Sequence, residues 1–148
     1  MIHERYSFTN NLLDTVFEFV SEGTKGHIKK LVQYSKTPIN DVYNLGFGDK
    51  NDATGFIDDK AITNNQDSNK VLATVASTLY VFTDKYPHAW VYAVGVTPSR
   101  TRLYRMGISN NLAEIEKDFD IYGLLDEKWE LFEKGKDYQG FLAKRKTI

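Results

Sequence analysis

The 148-residue sequence contains no cysteine, and this absence removes several kinds of chemistry at once. Without cysteine there is no disulfide, no thiolate nucleophile and no cysteine-ligated metal centre. The absence also favours a reducing compartment, so we expect a cytoplasmic protein. No apolar run approaches the roughly 18 residues that cross a bilayer, and residues 1–13 lack the basic start and apolar stretch of a secretion signal. We therefore expect neither a membrane span nor a leader.

Charge of one sign is also lacking. The chain has 19 Lys and Arg against 20 Asp and Glu, which leaves a net charge of −1. Such a balance produces no global field that would draw the protein to nucleic acid or to a membrane surface, so neither partner is expected. His3, His27 and His88 are far apart in the sequence, and no Ser-His-Asp or HExxH pattern is present. We expect no metal and no resident cofactor.

The best-defined element of the sequence is a helix in its middle. Val71, Val75, Leu79 and Phe82 recur at helical spacing and predict one apolar face that packs on a sheet. Asp67 and Ser68 are good N-cap residues, and Pro87 cannot continue a helix. The pattern therefore predicts a helix that begins near residue 67 and ends near residue 86.

An apolar strand and an Arg-rich second helix are predicted after it. The run Ala89–Val96 is rich in β-branched and aromatic residues and is typical of a buried central strand. Thr97 and Pro98 end that strand, and Ser99 is placed to cap the next helix. We expect Gly107 to end this helix, and Asn111 with Glu114 to restart it as a capping box.

The remaining segments alternate between strand and turn patterns. They predict an α+β (mixed α/β) protein with one domain over residues 1–148: an antiparallel meander of about four strands, then helix-strand-helix and a C-terminal hairpin on one mixed sheet. The predicted strands outside the middle region are Thr15–Ser21, His27–Tyr34, Val42–Phe47, Phe56–Ile62, Asp120–Leu125, Lys128–Phe132 and a last strand that ends in the basic run of residues 142–146.

The whole chain resembles a small uncharacterised family of bacterial proteins of roughly 150 residues, found mainly in Bacteroidetes. The resemblance rests on FEFVSEGTKGHIKKLVQY, VYNLGFGD, ITNNQDSNKVLATVASTLYVFTDKYPHAWVYAVG, SRTRLYRMGI and DFDIYGLLDEKWELFEKGKDY. It implies no function. More distantly, residues 99–108 resemble the GNAT acyltransferase segment in which a helix after the fifth strand carries an Arg, then Leu-Tyr, then a Gly-aromatic step. The order of elements from Val42 onward is similar to the core of that fold.

The GNAT resemblance implies a site. Tyr104 matches the tyrosine that often protonates the departing CoA thiolate, and CoA would be the cofactor. GNAT enzymes hold the CoA pyrophosphate at the start of their central helix, which implies an anion site that includes Asn64, Asn65, Ser68 and Lys70. The start of the second helix adds Ser99 and three arginines that can hold a phosphate by charge-assisted bonds, Arg100, Arg102 and Arg105, so we expect an anion rim at the two helix starts. However, the loop at residues 63–69 has no glycine, and Asp67 would repel a phosphate. The two helices that normally shape the acceptor site of GNAT enzymes also have no counterpart before Val42. We therefore expect a GNAT-like scaffold without acyl transfer.

Each of these residues also has a structural interpretation. A tyrosine on an apolar helix face, such as Tyr104, is more often a core residue with a satisfied hydroxyl than a catalytic one, and function cannot be inferred from the fold alone. Arg102 and Arg105 are three residues apart on a predicted helix, where arginines commonly cover apolar surface or pair with acids such as Glu114 or Asp118. The loop before the middle helix is equally consistent with a cap and a turn.

Three functions therefore remain as hypotheses. We prefer a non-enzymatic interaction or accessory module, either a homodimer or bound to a protein partner; an exposed aromatic patch on the leading strands would support it. The first alternative is an acyl-CoA-binding protein or N-acyltransferase, which requires a cleft between splayed fourth and fifth strands. The second alternative is single-stranded nucleic-acid binding, in which aromatics on the sheet stack bases and basic residues hold phosphates. Those basic residues are Lys29, Lys30, Lys144, Arg145 and Lys146.

Overall fold

The computed structural model describes residues 3–58, 62–95 and 97–147. Two helices and eight strands lie within these residues. In chain order the elements are β1 (Thr9–Asn10), β2 (Val16–Gly23), β3 (Gly26–Lys36), β4 (Val42–Asp49), α1 (Ser68–Lys85), β5 (Trp90–Ala93), α2 (Pro98–Asp118), β6 (Phe119–Leu125), β7 (Lys128–Leu131) and β8 (Gly140–Arg145).

All eight strands belong to one mixed sheet. Its order is β1-β2-β3-β4-β5-β8-β6-β7, and every neighbouring pair is antiparallel except β4 and β5. The parallel pair is connected through α1, because parallel strands require a long crossover. The last strand, β8, lies between β5 and β6 and does not extend an edge of the sheet. The predicted α+β class with one mixed sheet is confirmed.

Both helices pack on the same side of the sheet, here called the helix face; the opposite side is the open face. Alternate strand residues point to the two faces. Tyr34 of β3 points to the helix face, where its ring stacks on Phe82 of α1 with centroids 4.2 Å apart. The largest group of buried core residues on this side is Phe17, Phe19, Val32, Tyr34, Leu45, Phe47, Val71, Val75, Phe82, Ala89, Val91 and Ala93.

The predicted strand Phe56–Ile62 is wrong in the part that the structure describes. Residues 56–58 form only an isolated bridge, between Lys50 and Ile57, and residues 59–61 lie outside the described residues. This loop instead folds over β4, since Ile57 would contact a Cβ at either Gly46 or Gly48. The fourth strand of the leading meander is the two-residue β1, which precedes the others in the chain.

The predicted break in the second helix is also wrong, because α2 is continuous from Pro98 to Asp118. Gly107 does not end the helix but allows it to approach α1, since a Cβ there would be 3.4 Å from a methyl of Leu72. Asn111 donates its side-chain N–H to the Gly107 carbonyl at 2.8 Å and caps nothing. The N-cap is Thr97 and not Ser99; its hydroxyl accepts from the Arg100 N–H at 3.2 Å.

Candidate functional site

The candidate site is a cleft between the two parallel strands. β4 and β5 pair only where Val42–Asn44 face Trp90–Tyr92; β5 then ends at Ala93 while β4 continues to Asp49. The strands part beyond this point and leave a cleft of about 500 Å³. Open sheets bind ligands outside the carboxyl ends of parallel strands, and this cleft occupies that position. Gly46, Phe47, Gly95, Arg100 and Tyr104 are among its lining residues.

Tyr104 of α2 lies in the wall of the cleft. Its hydroxyl donates to the Leu45 carbonyl at 3.3 Å, and Leu45 is the first β4 residue beyond the paired segment. Burial raises the pKa of the Tyr104 hydroxyl to about 12. The phenol is therefore protonated at neutral pH, and it can donate a hydrogen bond or a proton to a group in the cleft or accept a hydrogen bond from one.

Arg100 also reaches the cleft, but its guanidinium is held by the protein. Its side chain is 9% exposed, and one N–H donates to the Asp58 carbonyl at 2.8 Å. Gly95 makes this position accessible, because a Cβ there would lie 2.3 Å from the Thr101 backbone nitrogen and would push the first turn of α2 away from β5. In this arrangement Arg100 braces the loop after β4 across the cleft.

The other residues predicted on α2 do not gather around Arg100. Ser99 is exposed in the first turn, and Arg102 is exposed as well. Arg105 pairs with Asp137 in the segment before β8 at 2.5 Å. Asp118, one of the acids expected to pair with an arginine, accepts from the Tyr80 hydroxyl at 2.9 Å. Ser99, Arg102 and Arg105 therefore do not form one anion site with Arg100.

The loop before α1 is fastened to the β2–β3 hairpin by Asn65. This side chain is 1% exposed; its amide donates to the Gly26 carbonyl at 2.8 Å and its oxygen accepts from the Lys25 N–H at 2.6 Å. A neighbouring side chain, Asn64, accepts from the Gln66 N–H at 2.9 Å. Asn64 and Asn65 thus satisfy backbone groups of the protein. Both residues have the structural role, of forming a turn and fastening the loop, that was the alternative to ligand binding.

Asp67 places a carboxylate at the start of α1. It occupies the N-cap position without a side-chain capping bond, and its carboxylate instead accepts from the hydroxyls of Tyr6 at 2.6 Å and Ser21 at 2.5 Å. The Lys70 ammonium lies over the Tyr6 ring at 4.2 Å. Because the positive end of the helix dipole already faces this carboxylate, a second anion there would be repelled. The anion site predicted at Ser68 and Lys70 therefore faces an unfavourable charge.

The first turns of α1 and α2 do not border one common site. Asn64, Asn65 and Ser68 border a separate recess of about 80 Å³, whereas Arg100 and Tyr104 border the cleft. Phe47 of β4 lines both spaces, so this strand stands between them. The structure thus divides the residues that the GNAT resemblance grouped together.

An aromatic surface on the open face was not predicted from the sequence. One row crosses four strands through Tyr92, Leu142, Tyr122 and Leu131, each directly opposite the next. Trp129 lies beside this row, 6.0 Å from the Tyr92 ring, and is 43% exposed. The alternation in WVYA, DIYGLL and KWEL was the available signal. We call this surface the aromatic strip; its members are Trp90, Tyr92, Tyr122, Leu124, Trp129, Leu131 and Leu142.

Strands β1–β4 do not carry the exposed aromatic patch that would support an interaction module. Phe17, Phe19 and Phe47 are buried against the helices, and the open face of those strands carries mainly charged, small and aliphatic residues. The basic residues expected to hold phosphates are also dispersed. Lys30 is 1% exposed and is bonded to Asp49, and Arg145 pairs with Asp84 beside α1. Lys144 lies opposite Trp90 on the open face, so the five basic residues are not gathered on one surface with the aromatic residues.

Within residues 3–58, 62–95 and 97–147 no group of three His, Asp or Glu residues is placed to hold a metal ion. No helix in that part of the chain is long and apolar enough to cross a membrane. Residues 2–146 match the model of a protein family described as a family of unknown function (DUF6934). No curated protein and no solved structure matches the chain.

Proposed function

The chain belongs to the DUF6934 family, whose function is unknown, and we propose that it is a non-enzymatic interaction module that self-associates through the aromatic strip. The observation that carries this proposal is the uninterrupted row of Tyr92, Leu142, Tyr122 and Leu131 across four strands. Contiguous apolar surface of this kind marks an interaction site in soluble proteins. Trp and Tyr are also the residues that most often dominate binding energy at interfaces.

The charges beside the strip support a second copy of the chain as the partner. Trp90, Lys144 and Asp120 are directly opposite one another on β5, β8 and β6, so a cation and an anion lie side by side next to the apolar row. In a two-fold interface each residue of a pair meets its counterpart on the other copy. Lys144 of one copy can therefore face Asp120 of the other. The net charge of −1 causes little repulsion between copies.

The test is the oligomeric state of two variants matched in exposure. Leu131 lies in the strip and is 65% exposed, whereas Ile39 lies in the β3–β4 loop outside it and is 67% exposed. We expect sedimentation velocity to show a dimer for the wild type and for Ile39→Glu, and a monomer for Leu131→Glu, because a charge cannot be buried there without a partner. A wild type that is monomeric at about 100 µM would rule out self-association of functional strength.

A second candidate function, acyl-thioester binding in the cleft on a GNAT-like scaffold, is favoured by one specific arrangement. The parallel strands β4 and β5 part beside Tyr104, and β8 lies between β5 and β6. The protonated Tyr104 phenol would donate to a thioester or a departing thiolate in the cleft. The carboxylate of Asp67 weighs against a pyrophosphate at α1, so Arg100 would be the main anion contact.

Calorimetric titration with CoA and acetyl-CoA tests this candidate. We expect saturable heat that is weakened by Arg100→Ala and unchanged by Arg102→Ala, an exposed arginine on the same helix. Thermal unfolding of both variants separates lost binding from lost folding, because Arg100 also braces the loop through Asp58. Acyl transfer would then be lost in Tyr104→Phe while binding remains. The absence of heat at millimolar CoA would dismiss the candidate.

A further inference from the structure

An apolar cavity of about 80 Å³ lies between α1, α2 and the helix face of the sheet. Leu72 and Leu79 of α1, Ile108 and Ile115 of α2, and Ile121 and Phe141 of the sheet are among its lining residues. Apart from the Tyr104 hydroxyl, none of the lining side chains carries a polar atom. A space with such a lining favours small apolar molecules over water.

Small residues keep this space open. Ala76, Ala93, Gly107 and Ala143 come from α1, β5, α2 and β8, and all four line the cavity. Larger residues lie next to two of them in the sheet, namely Val91 beside Ala93 and Ile121 opposite Ala143. Because protein interiors normally fill such gaps, a cluster of four small residues from four elements around one space is consistent with room kept for a bound group.

The cavity and the cleft share a wall. Leu45 of β4 and Tyr104 of α2 line both spaces. The Tyr104 ring is fixed there by the bond of its hydroxyl to the Leu45 carbonyl, whose length of 3.3 Å is beyond the usual range for O–H···O bonds. Movement of this one ring would join the two spaces.

We infer that the cavity binds the short aliphatic tail of a ligand whose polar end lies in the cleft, and that the tail enters past Tyr104. The cavity is about half the size of an engineered one of roughly 150 Å³ that holds benzene, so it suits a chain of a few carbons. This site is defined without reference to the aromatic strip. It would add acyl-chain selection to the thioester candidate but does not require a thioester.

Xenon is the probe for the cavity itself. In methyl-detected NMR under xenon pressure, we expect saturable shifts for Leu72, Ile108 and Ile115 and none for the exposed Leu12. The shifts should be lost in Ala143→Val or, if that variant fails to fold, in Ala93→Val, because the added methyls fill the space. Ala113→Val, at an exposed position of α2, is the matched control and should keep them.

The route past Tyr104 is tested by exchange rate. Tyr104→Phe keeps the ring and removes the bond to Leu45, so we expect butanol, as a short-chain probe, to bind with a similar dissociation constant and to exchange faster than in the wild type. An unchanged exchange rate of butanol would overturn the route. The site itself would be overturned if the wild type showed no saturable xenon shifts, or if the shifts persisted in both Ala143→Val and Ala93→Val. Hydrocarbon binding without any binding of CoA would uphold the site and dismiss the thioester candidate, so the two can fail separately.

Discussion

Replacing Lys30 by methionine should destabilise the protein far more than the same change at the preceding residue, Lys29. Lys30 points to the helix face of β3 and is 1% exposed; its ammonium donates to an Asp49 oxygen at 2.5 Å and to the Thr63 carbonyl at 2.9 Å. The other Asp49 oxygen accepts from the Thr63 N–H at 3.0 Å. The pair thus ties β3, β4 and the segment that leads into α1.

The expected loss in the free energy of unfolding follows from the Asp49 carboxylate that Lys30→Met leaves without its cation. Lys30→Met keeps most of the aliphatic stem but leaves the Asp49 carboxylate, whose side chain is only 15% exposed, with Thr63 as its remaining partner. Removing one partner of a buried pair costs about 3–5 kcal/mol, and we expect the lower end because Asp49 keeps some solvent contact. Lys29→Met removes an exposed ion pair with Asp52 at 3.3 Å and should cost less than about 1 kcal/mol.

Urea unfolding at pH 7, followed by tryptophan fluorescence, measures both losses. A Lys30→Met variant within about 1 kcal/mol of Lys29→Met would refute the reasoning, since the buried pair would then contribute no more than an exposed one. The double variant Lys30→Met with Asp49→Asn should recover part of the loss, because the uncompensated carboxylate is gone.

Acidification gives an independent measure of the same pair. Burial opposes ionisation of Asp49, but the bonds from Lys30 and Thr63 outweigh it and hold the pKa of that carboxyl below its ordinary 3.8. A carboxyl with a lowered folded-state pKa contributes stability above its unfolded pKa and loses that contribution as the pH falls through the folded value. The stability advantage of the wild type over Asp49→Asn should therefore shrink as the pH falls below about 3.8, and a constant difference would contradict this assignment.

Two further changes test the packing of the C-terminal strands. Gly123→Ala should cost about 2–3 kcal/mol, because the new Cβ would lie 2.3 Å from the Tyr138 ring, whereas Gly140→Ala, whose Cβ meets nothing nearer than 3.5 Å, should change the urea midpoint little. Glu127 has a φ of 66° in the β6–β7 turn, a conformation that glycine adopts more easily than other residues. Glu127→Gly should therefore raise the free energy of unfolding by about 0.5–1 kcal/mol, which corresponds to roughly 2 °C in Tm. Glu127→Ala removes the same charge but should not stabilise the protein.

The limits of the local elements follow closely from sequence patterns. The helix predicted between residues 67 and 86 is α1, because its apolar period and Pro87 act over a few neighbouring residues. The hairpin strands predicted at residues 15–21 and 27–34 correspond to β2 and β3 for the same reason. The sequence does not distinguish the two roles open to Gly107. A glycine that ends a helix and a glycine that lets two helices touch have the same local sequence pattern, and only the docking of α2 on α1 separates them.

The candidate site depended on contacts between distant parts of the chain. Asn65 was expected to bind a ligand, but Gly26 and Lys25, about 40 residues away, use its amide. Arg100 and Tyr104 do reach one cleft, yet β4 separates them from the start of α1. The spacing of residues along the chain does not show which strand lies between the starts of α1 and α2. The separation of the predicted anion rim by β4 therefore follows only from the strand order of the sheet.

By itself the sequence determined the α+β class, the extent of α1 and the β2–β3 hairpin, since these depend on periodicity, turn residues and proline. Only the tertiary structure decided which face of the sheet is covered. β5 carries apolar side chains on both faces, and the placement of both helices on one side buries Val91 and leaves the other face, with Tyr92, to solvent. Helix docking and strand pairing both join distant parts of the chain, and together they form the cleft, the cavity and the aromatic strip.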